Sequence, residues 1–243
     1  MNTGSKKVAL VFGGSRGIGA AAVARFAKDD YRVAFTYASR EDKANEVVST
    51  VEAAGGEAFA IKADSADARQ IESAVAQAVQ KFGKIDALVV NAGIFTMGTV
   101  DAVPVEQLDQ MLDINVRGVF LAIQAAATQI NDGGRVITVG SNVAIRTGMA
   151  GASVYQFTKA AVAAMVKGVA LDLAPRSITV NNVQPGPTDT DINAGAIDFL
   201  ADKSPLKRVA KPSEIAGLIA YIASEEAGYM TGASITIDGG FTL

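Results

Sequence analysis

Cysteine and histidine are both absent from the 243 residues of this chain. Without cysteine there is no disulfide and no thiolate metal site, and without histidine there is no imidazole ligand and no Ser-His-Asp triad. A proton-transfer site must therefore use Tyr, Lys, Asp, Glu or Ser side chains. We predict no metal site.

Strong net charge and long apolar runs are missing as well. The formal net charge is -3, which argues against a broad surface for nucleic acid or for an anionic membrane. No stretch approaches the ~18 apolar residues of a membrane span, and residues 1–7 contain no apolar signal core. The sequence therefore predicts a soluble, cytoplasmic protein that acts on a small molecule and has no nucleic-acid or membrane partner.

Hydrophobic residues make up 49% of the chain, and no Pro/Ser-rich linker or charge block divides it. We therefore expect residues 1–243 to form one α/β domain. Short β-branched runs alternate with longer alanine-rich segments, which predicts right-handed βαβ crossovers and a parallel sheet with helices on both faces. The predicted strands are 7–12, 32–37, 58–62, 87–90, 136–139, 178–183 and 235–237. The predicted helices are 17–29, 41–53, 67–82, 104–130 and 153–173.

A glycine-rich turn, Gly13-Gly14-Ser15-Arg16-Gly17-Ile18-Gly19, follows the first predicted strand. Glycines let the main chain approach a pyrophosphate, and the first turn of the following helix offers free N–H groups and partial positive charge. The spacing is G-x-x-x-G-x-G, which differs from the common G-x-G-x-x-G fingerprint. A turn of this kind can simply be tight, but its place at the start of a βαβ series favours nucleotide binding.

The end of the second predicted strand bears on which nucleotide binds. An NAD site usually places an acidic residue there, on the ribose 2′-hydroxyl. Here the strand is followed by Ser39 and Arg40, with no carboxylate before Glu41. Arg16 and Arg40 can bind a 2′-phosphate by charge and bidentate geometry, so we favour NADP(H). NAD(H) is the alternative if Arg40 is only a solvated charge at a helix start.

Tyr155 and Lys159 lie four residues apart in the predicted helix 153–173, so their side chains share one face. An ammonium group close to a phenol favours the phenolate and lowers the tyrosine pKa from its usual value near 10. A tyrosine tuned in this way can exchange a proton with an alcohol or carbonyl oxygen. The same spacing also arises by chance on helices, so the pair gains its meaning from the motifs around it.

An ordered series of motifs resembles the short-chain dehydrogenase/reductase family over essentially the whole chain. The motifs are the glycine turn at 13–19, Asp64-Ser65, Asn91-Ala92-Gly93, Ile114-Asn115-Val116-Arg117-Gly118, Ser141, Tyr155 with Lys159, Pro185-Gly186 with Thr190, and Asp238-Gly239-Gly240. The resemblance implies a Rossmann-type doubly wound sheet of seven parallel strands. It also implies hydride transfer between C4 of a nicotinamide and a carbonyl or alcohol carbon.

The resemblance implies a catalytic role for each of four residues. Tyr155 is the general acid for reduction or the base for oxidation, and Lys159 lowers the tyrosine pKa and binds the nicotinamide ribose. Ser141 holds the substrate oxygen in an oxyanion-type role, and Asn115 anchors a water in a proton relay through Lys159. Ser141 could instead cap its own loop, and Asn115 could be a satisfied buried amide.

Two positions depart from the family pattern. In many members the serine lies thirteen residues before the tyrosine, where this chain has Asn142, whereas Ser141 lies fourteen before it. One extra residue in the loop 143–153 would restore Ser141, which we favour, although the Asn142 carboxamide could also donate to a substrate oxygen. The glycine turn follows Phe12 where threonine is usual, so a hydroxyl that helps to brace the turn is absent.

The resemblance places the other cofactor contacts at the carboxyl ends of the strands. Asp64 and Ser65 match adenine contacts, although Asp64 could instead cap the following helix. Asn91 could brace the sheet rather than line the adenosine side. The predicted cofactor-binding set is Gly13, Ser15, Arg16, Gly17, Ile18, Gly19, Ser39, Arg40, Asp64, Ser65, Asn91, Ala92, Gly93, Tyr155, Lys159, Pro185, Gly186, Thr188 and Thr190.

The long connection after the sixth strand, about residues 188–211, predicts a mobile lid over a mostly apolar pocket. Loops at the carboxyl ends of parallel strands bind ligands in such sheets. We therefore expect Met149 to lie beside the substrate, with a plain surface loop as the alternative. The predicted substrate contacts are Ser141, Asn142, Met149 and Tyr155.

Two further surfaces suggest macromolecular contacts. The predicted helices 104–130 and 153–173 resemble the dimerising helices of the family, which implies a homotetramer or a homodimer. Four cations near the lid could receive an acidic carrier protein, or could simply keep the lid solvated. They are Lys203, Lys207, Arg208 and Lys211.

These features predict an oxidoreductase that transfers hydride from NADPH to a ketone, aldehyde or 3-oxo ester, with reversible alcohol oxidation. The resemblance extends to β-ketoacyl carrier-protein reductases and to broad carbonyl reductases. One alternative is a nucleotide-binding sensor or regulator of the same fold with little turnover. Another is an NAD-dependent alcohol dehydrogenase.

Overall fold

A computed structural model describes residues 6–243 and contains one seven-stranded sheet in which every pairing is parallel. The strand order β3-β2-β1-β4-β5-β6-β7 reverses direction between β1 and β4. That reversal is the place where open α/β sheets bind ligands, beyond the carboxyl ends of the strands. The strands are β1 (Val8–Phe12), β2 (Arg32–Tyr37), β3 (Glu57–Lys62), β4 (Ile85–Val90), β5 (Ile130–Val139), β6 (Thr179–Pro185) and β7 (Ser234–Ile237).

Helices cover both faces of the sheet, as the alternation of the sequence predicts. Residues of β1 alternate between two buried layers: Leu10 packs in the layer that contains α3, α5 and α6, and Val11 in the layer that contains α1, α2 and α8. The helices are α1 (Gly17–Lys28), α2 (Glu41–Ala53), α3 (Ala68–Phe82), α4 (Val105–Leu112), α5 (Gly118–Ala127), α6 (Ser153–Leu173), α7 (Ile197–Lys203) and α8 (Pro212–Ala223).

The predicted helix 104–130 is wrong at its end and in its interior. A π-helical turn, Asp113–Arg117, separates α4 from α5, and α5 ends at Ala127. An added Cβ on Gly118 would overlap the main-chain oxygen of Ser65, so the helix packs there without a side chain. Ile130 already belongs to β5, where it pairs with Ile85 before the register shifts.

Two helices of the described chain were not among the predicted ones. The lid segment contains the short helix α7, and α8 follows it. Ile215, Ile219 and Ile222 of α8 are buried in the layer shared with α1, so α8 completes the cover of one sheet face. No helix within residues 6–243 is long and apolar enough to cross a membrane.

Candidate active site

The glycine turn after β1 packs against the chain that follows β4. Gly13 and Gly17 have positive φ angles of 77° and 54°, a region that glycine occupies without strain. A Cβ on Gly13 would lie 2.8 Å from the Cα of Ala92, and one on Gly19 would overlap the oxygen of Gly13. Side chains are therefore excluded from these two positions, which leaves the main chain of the turn bare.

Two side chains brace the glycine turn. The Nδ2 of Asn91 donates to the oxygen of Gly13 at 2.8 Å, and the N–H of Gly13 donates to the Oγ1 of Thr36 at 2.9 Å. Asn91 is thus a bracing residue, which was one of its two sequence interpretations. The hydroxyl that Phe12 cannot supply comes from β2 instead, a compensation that the sequence analysis missed.

The first turn of α1 has the features of an anion site. Its N-cap residue, Arg16, makes no side-chain capping hydrogen bond, and the turn contains no acidic residue. The N–H groups at this end carry partial positive charge and suit a pyrophosphate. Together with the glycine surface, this arrangement fits a dinucleotide.

The two arginines predicted to bind a 2′-phosphate are both paired with carboxylates. Arg40 forms a bidentate pair with Asp42 at 2.9 and 2.6 Å, and Arg16 contacts Asp191 of the lid at 3.2 Å. The Arg40 guanidinium lowers the pKa of Asp42 to about 2. All four side chains are more than half exposed, so a phosphate can displace these carboxylates at small cost.

Asp64 does not cap α3, so that sequence interpretation is wrong. The N-cap is Asp67, whose Oδ1 accepts from the N–H groups of Arg69 and Gln70 at 2.9 and 3.4 Å. The carboxylate of Asp64 instead accepts from the N–H of Ala66 at 2.9 Å. Asp64 and Asp67 can both cap a helix, because each has a carboxylate that can accept from main-chain N–H groups. Asp67 is the cap because α3 begins at the next residue.

The residues Pro185, Gly186, Thr188 and Thr190 come at and after the end of β6. A Cβ on Gly17 would lie 3.0 Å from the Cγ2 of Thr190, so this segment rests against the glycine turn. Thr188 donates to the oxygen of Gly186 at 2.9 Å and forms a parallel bridge with Ala210. The base of the lid is therefore fixed beside the anion site.

Tyr155 and Lys159 lie on one face of α6, as their spacing predicts. The Nζ of Lys159 is 5.6 Å from the centre of the Tyr155 ring and donates to the oxygen of Val139 at 3.0 Å. Lys159 is only 5% exposed. The pair thus sits at the carboxyl end of β5, close to Ser141.

The predicted direction of the Tyr155 pKa is wrong for this structure. Burial raises the pKa of Tyr155 to about 12, and a hydrogen bond with Ser141 offsets only part of that rise. Burial also lowers the pKa of Lys159 to about 8. Loss of water disfavours the charged form of each group. Tyr155 is therefore protonated at neutral pH, and it is a weaker acid than a free tyrosine.

The two candidates for the substrate oxygen point in different directions. The Ser141 side chain hydrogen-bonds with that of Tyr155 and also accepts from the N–H of Val143 at 3.3 Å. The Nδ2 of Asn142 donates to Asp238 at 3.4 Å, and Asn142 is only 4% exposed. The serine thus faces the tyrosine while it also caps its own loop.

Asn115 lies in the π-helical turn and is fully buried. Its Oδ1 accepts from the N–H of Ile94 and its Nδ2 donates to the oxygen of Ile94, both at 2.9 Å. It is therefore a satisfied amide, and it also lies near the lysine. A Cβ on Gly93 would be 3.3 Å from the Oδ1 of Asn115 and 3.4 Å from the Nζ of Lys159.

An aromatic side chain lies beside Tyr155. Phe95 packs edge-on against the Tyr155 ring, with 4.8 Å between ring centres. The N–H of Gly98 donates to the oxygen of Gly151 at 2.9 Å, which joins the loop after β4 to the loop that carries Met149. Met149 itself is 44% exposed. Phe95 was not among the predicted substrate contacts, although its place just after Asn91-Ala92-Gly93 at a strand end was the available signal.

The predicted basic patch is largely neutralised within the chain. Arg208 forms a bidentate pair with Glu214, both bonds being 2.7 Å, and Lys207 lies 3.6 Å from Asp202. Lys203 lies over the Phe199 ring.

Within residues 6–243 no group of three or more acidic side chains is placed to hold a metal ion.

Comparison with known proteins decides the family. The family model described as Enoyl-(Acyl carrier protein) reductase matches residues 13–242. The structure of a short-chain dehydrogenase/reductase from Serratia marcescens is 53% identical, with a TM-score of 0.95 over 98% of this chain and 99% of that one. The chain belongs to the short-chain dehydrogenase/reductase family. It is an oxidoreductase of that family, as its motifs predict.

Other members of the short-chain dehydrogenase/reductase family differ in their described roles. A cyclic-di-GMP-binding biofilm dispersal mediator protein from Escherichia coli is 41% identical over 238 residues, 97% of each chain. A 3-oxoacyl-[acyl-carrier-protein] reductase from Staphylococcus aureus is 38% identical over 243 residues, 98% of each chain. A Burkholderia cenocepacia member crystallised with NADP is 43% identical, with a TM-score of 0.95 over 98% of this chain and 99% of that one.

Proposed function

We propose that this protein reduces the carbonyl group of a ketone, aldehyde or 3-oxo ester with NADPH, and oxidises the corresponding alcohol in reverse. The observation that carries the proposal is the meeting of Tyr155, Ser141 and Lys159 at the carboxyl end of β5, beside the glycine turn. A protonated phenol and a serine hydroxyl there can receive a carbonyl oxygen.

NADP(H) is the cofactor that the residues fit best. The bare glycine surface and the uncapped start of α1 suit its pyrophosphate, and Arg16 and Arg40 suit its 2′-phosphate. The Burkholderia cenocepacia relative was crystallised with NADP. The bound nicotinamide supplies the hydride for the carbonyl carbon. NAD(H) remains the alternative, since the arginines are exposed and paired within the chain.

The chain's own residues handle the proton and the charge. Tyr155 donates its phenolic proton to the carbonyl oxygen, and Ser141 donates a hydrogen bond to the same oxygen while negative charge develops. Lys159 lies beneath the tyrosine and favours the phenolate that the step leaves behind. Asn115 holds the loop at Ile94 in place beside Lys159. The carbonyl compound gains one hydride and one proton and becomes the alcohol, and the Tyr155 phenolate regains its proton from solvent.

The remaining predicted contacts stay proposals with distinct roles. Thr188 and Thr190 hold the lid base near the cofactor phosphates, and Met149 lies on the substrate side. Ser141 is favoured over Asn142 as the contact to the substrate oxygen, because the Asn142 amide is occupied by Asp238. The exposed Ile192 and Phe199 of the lid, with Phe95, favour a substrate with an apolar body.

A nucleotide sensor with little turnover is a second candidate function. The observation in its favour is the Escherichia coli relative, which is described as binding cyclic-di-GMP. The Tyr155, Ser141 and Lys159 arrangement favours the enzyme instead, because a sensor needs no proton donor at the site.

NADPH consumption with a panel of activated ketones tests the proposed function. Turnover that Tyr155→Phe abolishes is expected, and NADH should support a lower rate. Tight binding of cyclic-di-GMP with no turnover on any ketone would contradict the proposed reductase activity and favour the sensor.

Association into a dimer or tetramer is part of the proposal. Val105 and Phe120 on the α4–α5 run and Leu171 on α6 are 64%, 45% and 77% exposed, and a second copy would bury them. Light scattering at micromolar concentration should give a mass above that of one chain, and a monomer would contradict the association.

The cytoplasmic location stays a prediction from the sequence.

A further inference from the structure

Asp238, the residue after β7, joins two segments through its carboxylate. Its Oδ1 accepts from the N–H of Gly240 at 3.0 Å. Its Oδ2 accepts from the N–H and the hydroxyl of Thr242 at 3.0 and 2.8 Å, and from the Nδ2 of Asn142 at 3.4 Å. The carboxylate therefore connects the turn after β7 to the loop that carries Ser141.

The main chain holds Asp238 in place independently of these bonds. The N–H of Gly186 donates to the oxygen of Ile237 at 2.9 Å. A Cβ on Gly186 would lie only 2.5 Å from the Cβ of Asp238. The main chain at Gly186, after β6, thus packs against the side chain of Asp238, after β7. This contact leaves Asp238 little freedom to move.

The charge of Asp238 determines how the Asn142 amide is oriented. Burial raises the carboxyl pKa, but hydrogen bonds from Thr242 and Asn142 outweigh it and hold that pKa below its usual value. An ionised carboxylate only accepts hydrogen bonds, so Asn142 must present its NH₂ group to Asp238. The Asn142 Oδ1 then faces Ser141, whose Oγ lies 3.5 Å away.

We propose that Asp238 is a positioning residue for Ser141: it fixes the Asn142 amide, whose oxygen accepts from the serine hydroxyl at rest and keeps the Oγ beside Tyr155 until a substrate carbonyl takes over that hydrogen bond. This inference rests on the proposed function, in which Ser141 contacts the substrate oxygen. The carboxylate of Asp238 hydrogen-bonds with Gly240, Thr242 and Asn142, so its effect on Ser141 passes through Asn142.

The kinetic test compares Asp238→Asn with Asn142→Ala and with a matched control. An amide at 238 has only one acceptor end, so its NH₂ group must face either the N–H of Gly240 or the NH₂ of Asn142, and either arrangement loosens the contact that orients Asn142. Each variant should lower kcat about tenfold, with the KM for NADPH within about twofold, because only one hydrogen bond at the serine is loosened. Asn131→Ala is the matched control: it removes an amide hydrogen bond of 2.8 Å to the carboxylate of Asp86, near the start of β5, and should leave kcat unchanged.

The double variant Asp238→Asn/Asn142→Ala separates a shared path from two independent effects. If both residues act through one chain of hydrogen bonds, the double variant should lose no more activity than either single variant. If the two losses instead multiply in the double variant, or if Asn131→Ala loses as much activity, the proposal is overturned.

A spectroscopic arm keeps the inference testable if no ketone is reduced. With tyrosine labelled at its ring Cζ carbon, the NMR signal of Tyr155 is the one that Tyr155→Phe removes from the five tyrosines of the chain. Ser141→Ala, Asn142→Ala and Asp238→Asn should each shift that signal in the same direction, and Asn131→Ala should not. An unmoved signal in both Asn142→Ala and Asp238→Asn would overturn the positioning role even in an inactive protein. If Asp238→Asn fails to fold, Asp238→Ser takes its place, because it too removes the carboxylate that orients Asn142.

Discussion

At the scale of single residues, burial decides the direction of both pKa shifts at the proposed proton donor. Tyr155 and Lys159 are neighbours on α6, and the pKa of the phenol is raised to about 12 while that of the amine is lowered to about 8. Burial moves each group toward its neutral form. At neutral pH the phenol thus carries the proton that reduction of a carbonyl requires.

Substitution of Tyr155 by phenylalanine tests the proton donor directly. We expect Tyr155→Phe to lower kcat by about 10²- to 10⁴-fold, because general acid catalysis contributes on that order. Affinity for NADPH, measured by fluorescence titration, should stay within about twofold, since the proposed phosphate contacts are elsewhere. Tyr229→Phe is the matched control, because Tyr229 is fully exposed. A Tyr155→Phe enzyme with more than a tenth of the original kcat would contradict the assignment.

At the scale of secondary-structure elements, the lid base and the glycine turn are held together by Asp191 and Arg16. Their 3.2 Å ion pair joins the segment after β6 to the start of α1. Thr190 contacts Gly17 from the same side. This pair occupies the arginine that the proposed 2′-phosphate would use.

Replacement of Asp191 by asparagine should therefore strengthen NADPH binding. An exposed ion pair contributes about 0.2–1 kcal/mol, which corresponds to a decrease of about twofold to fivefold at most in the KM for NADPH. The KM for NADH should not change, because NADH has no 2′-phosphate. Asp198→Asn, on α7 of the same lid, is the control. An equal change for both nucleotides in Asp191→Asn would show that Arg16 does not read the 2′-phosphate.

The start of α3 offers a test of stability rather than of activity. Asp67 accepts from two N–H groups in the first turn of α3, so Asp67→Ala should lower the free energy of unfolding by about 1 kcal/mol. Asp64→Ala should cost less than half as much, since Asp64 accepts only from Ala66 in the preceding turn. Urea denaturation measures both values, and a larger cost at Asp64 would contradict the capping assignment.

The elements differ in how well the sequence predicts them. Helix 153–173 matches α6 at both ends, because Pro175 stops it and its apolar residues recur with helical period. The π-helical turn at Asp113–Arg117 has no such local signal. It depends on the packing of Gly118 against Ser65 and on the amide of Asn115, both of which involve residues far away in the chain.

At the scale of the whole molecule, burial of Lys159 links stability to pH. In the unfolded chain a lysine has its usual pKa of 10.5, whereas the folded value is about 8. Between these values the unfolded state binds more protons, so the free energy of unfolding increases as the pH rises through this window. Below pH 8 the burial of the ammonium group lowers the free energy of unfolding by about 3 kcal/mol.

Lys159→Met should remove this pH dependence. We expect the free energy of unfolding of the unsubstituted protein to rise by about 2 kcal/mol, relative to that of Lys159→Met, between about pH 7 and about pH 9.5. The raised pKa of Tyr155 affects the free energy of unfolding only between pH 10 and about 12, where that free energy falls as the pH rises. The tyrosine therefore does not contribute between about pH 7 and about pH 9.5. Lys167→Met on the exposed side of α6 is the control. Parallel curves for the protein and Lys159→Met would contradict the buried charge.

The parallel α/β architecture, the glycine turn and the Tyr155–Lys159 pair could be predicted from the sequence alone, and the resemblance of its motifs to a family implied Ser141 and Asn115 as well. The first three depend on local periodicity and on residue types at short spacing, which a linear chain displays directly. The tertiary structure alone decided the raised pKa of Tyr155, the hydroxyl that Thr36 provides to the glycine turn, and the contact of Asn142 with Asp238. Each of these depends on loss of water or on contact between residues distant in the chain, and such effects exist only once the chain is packed.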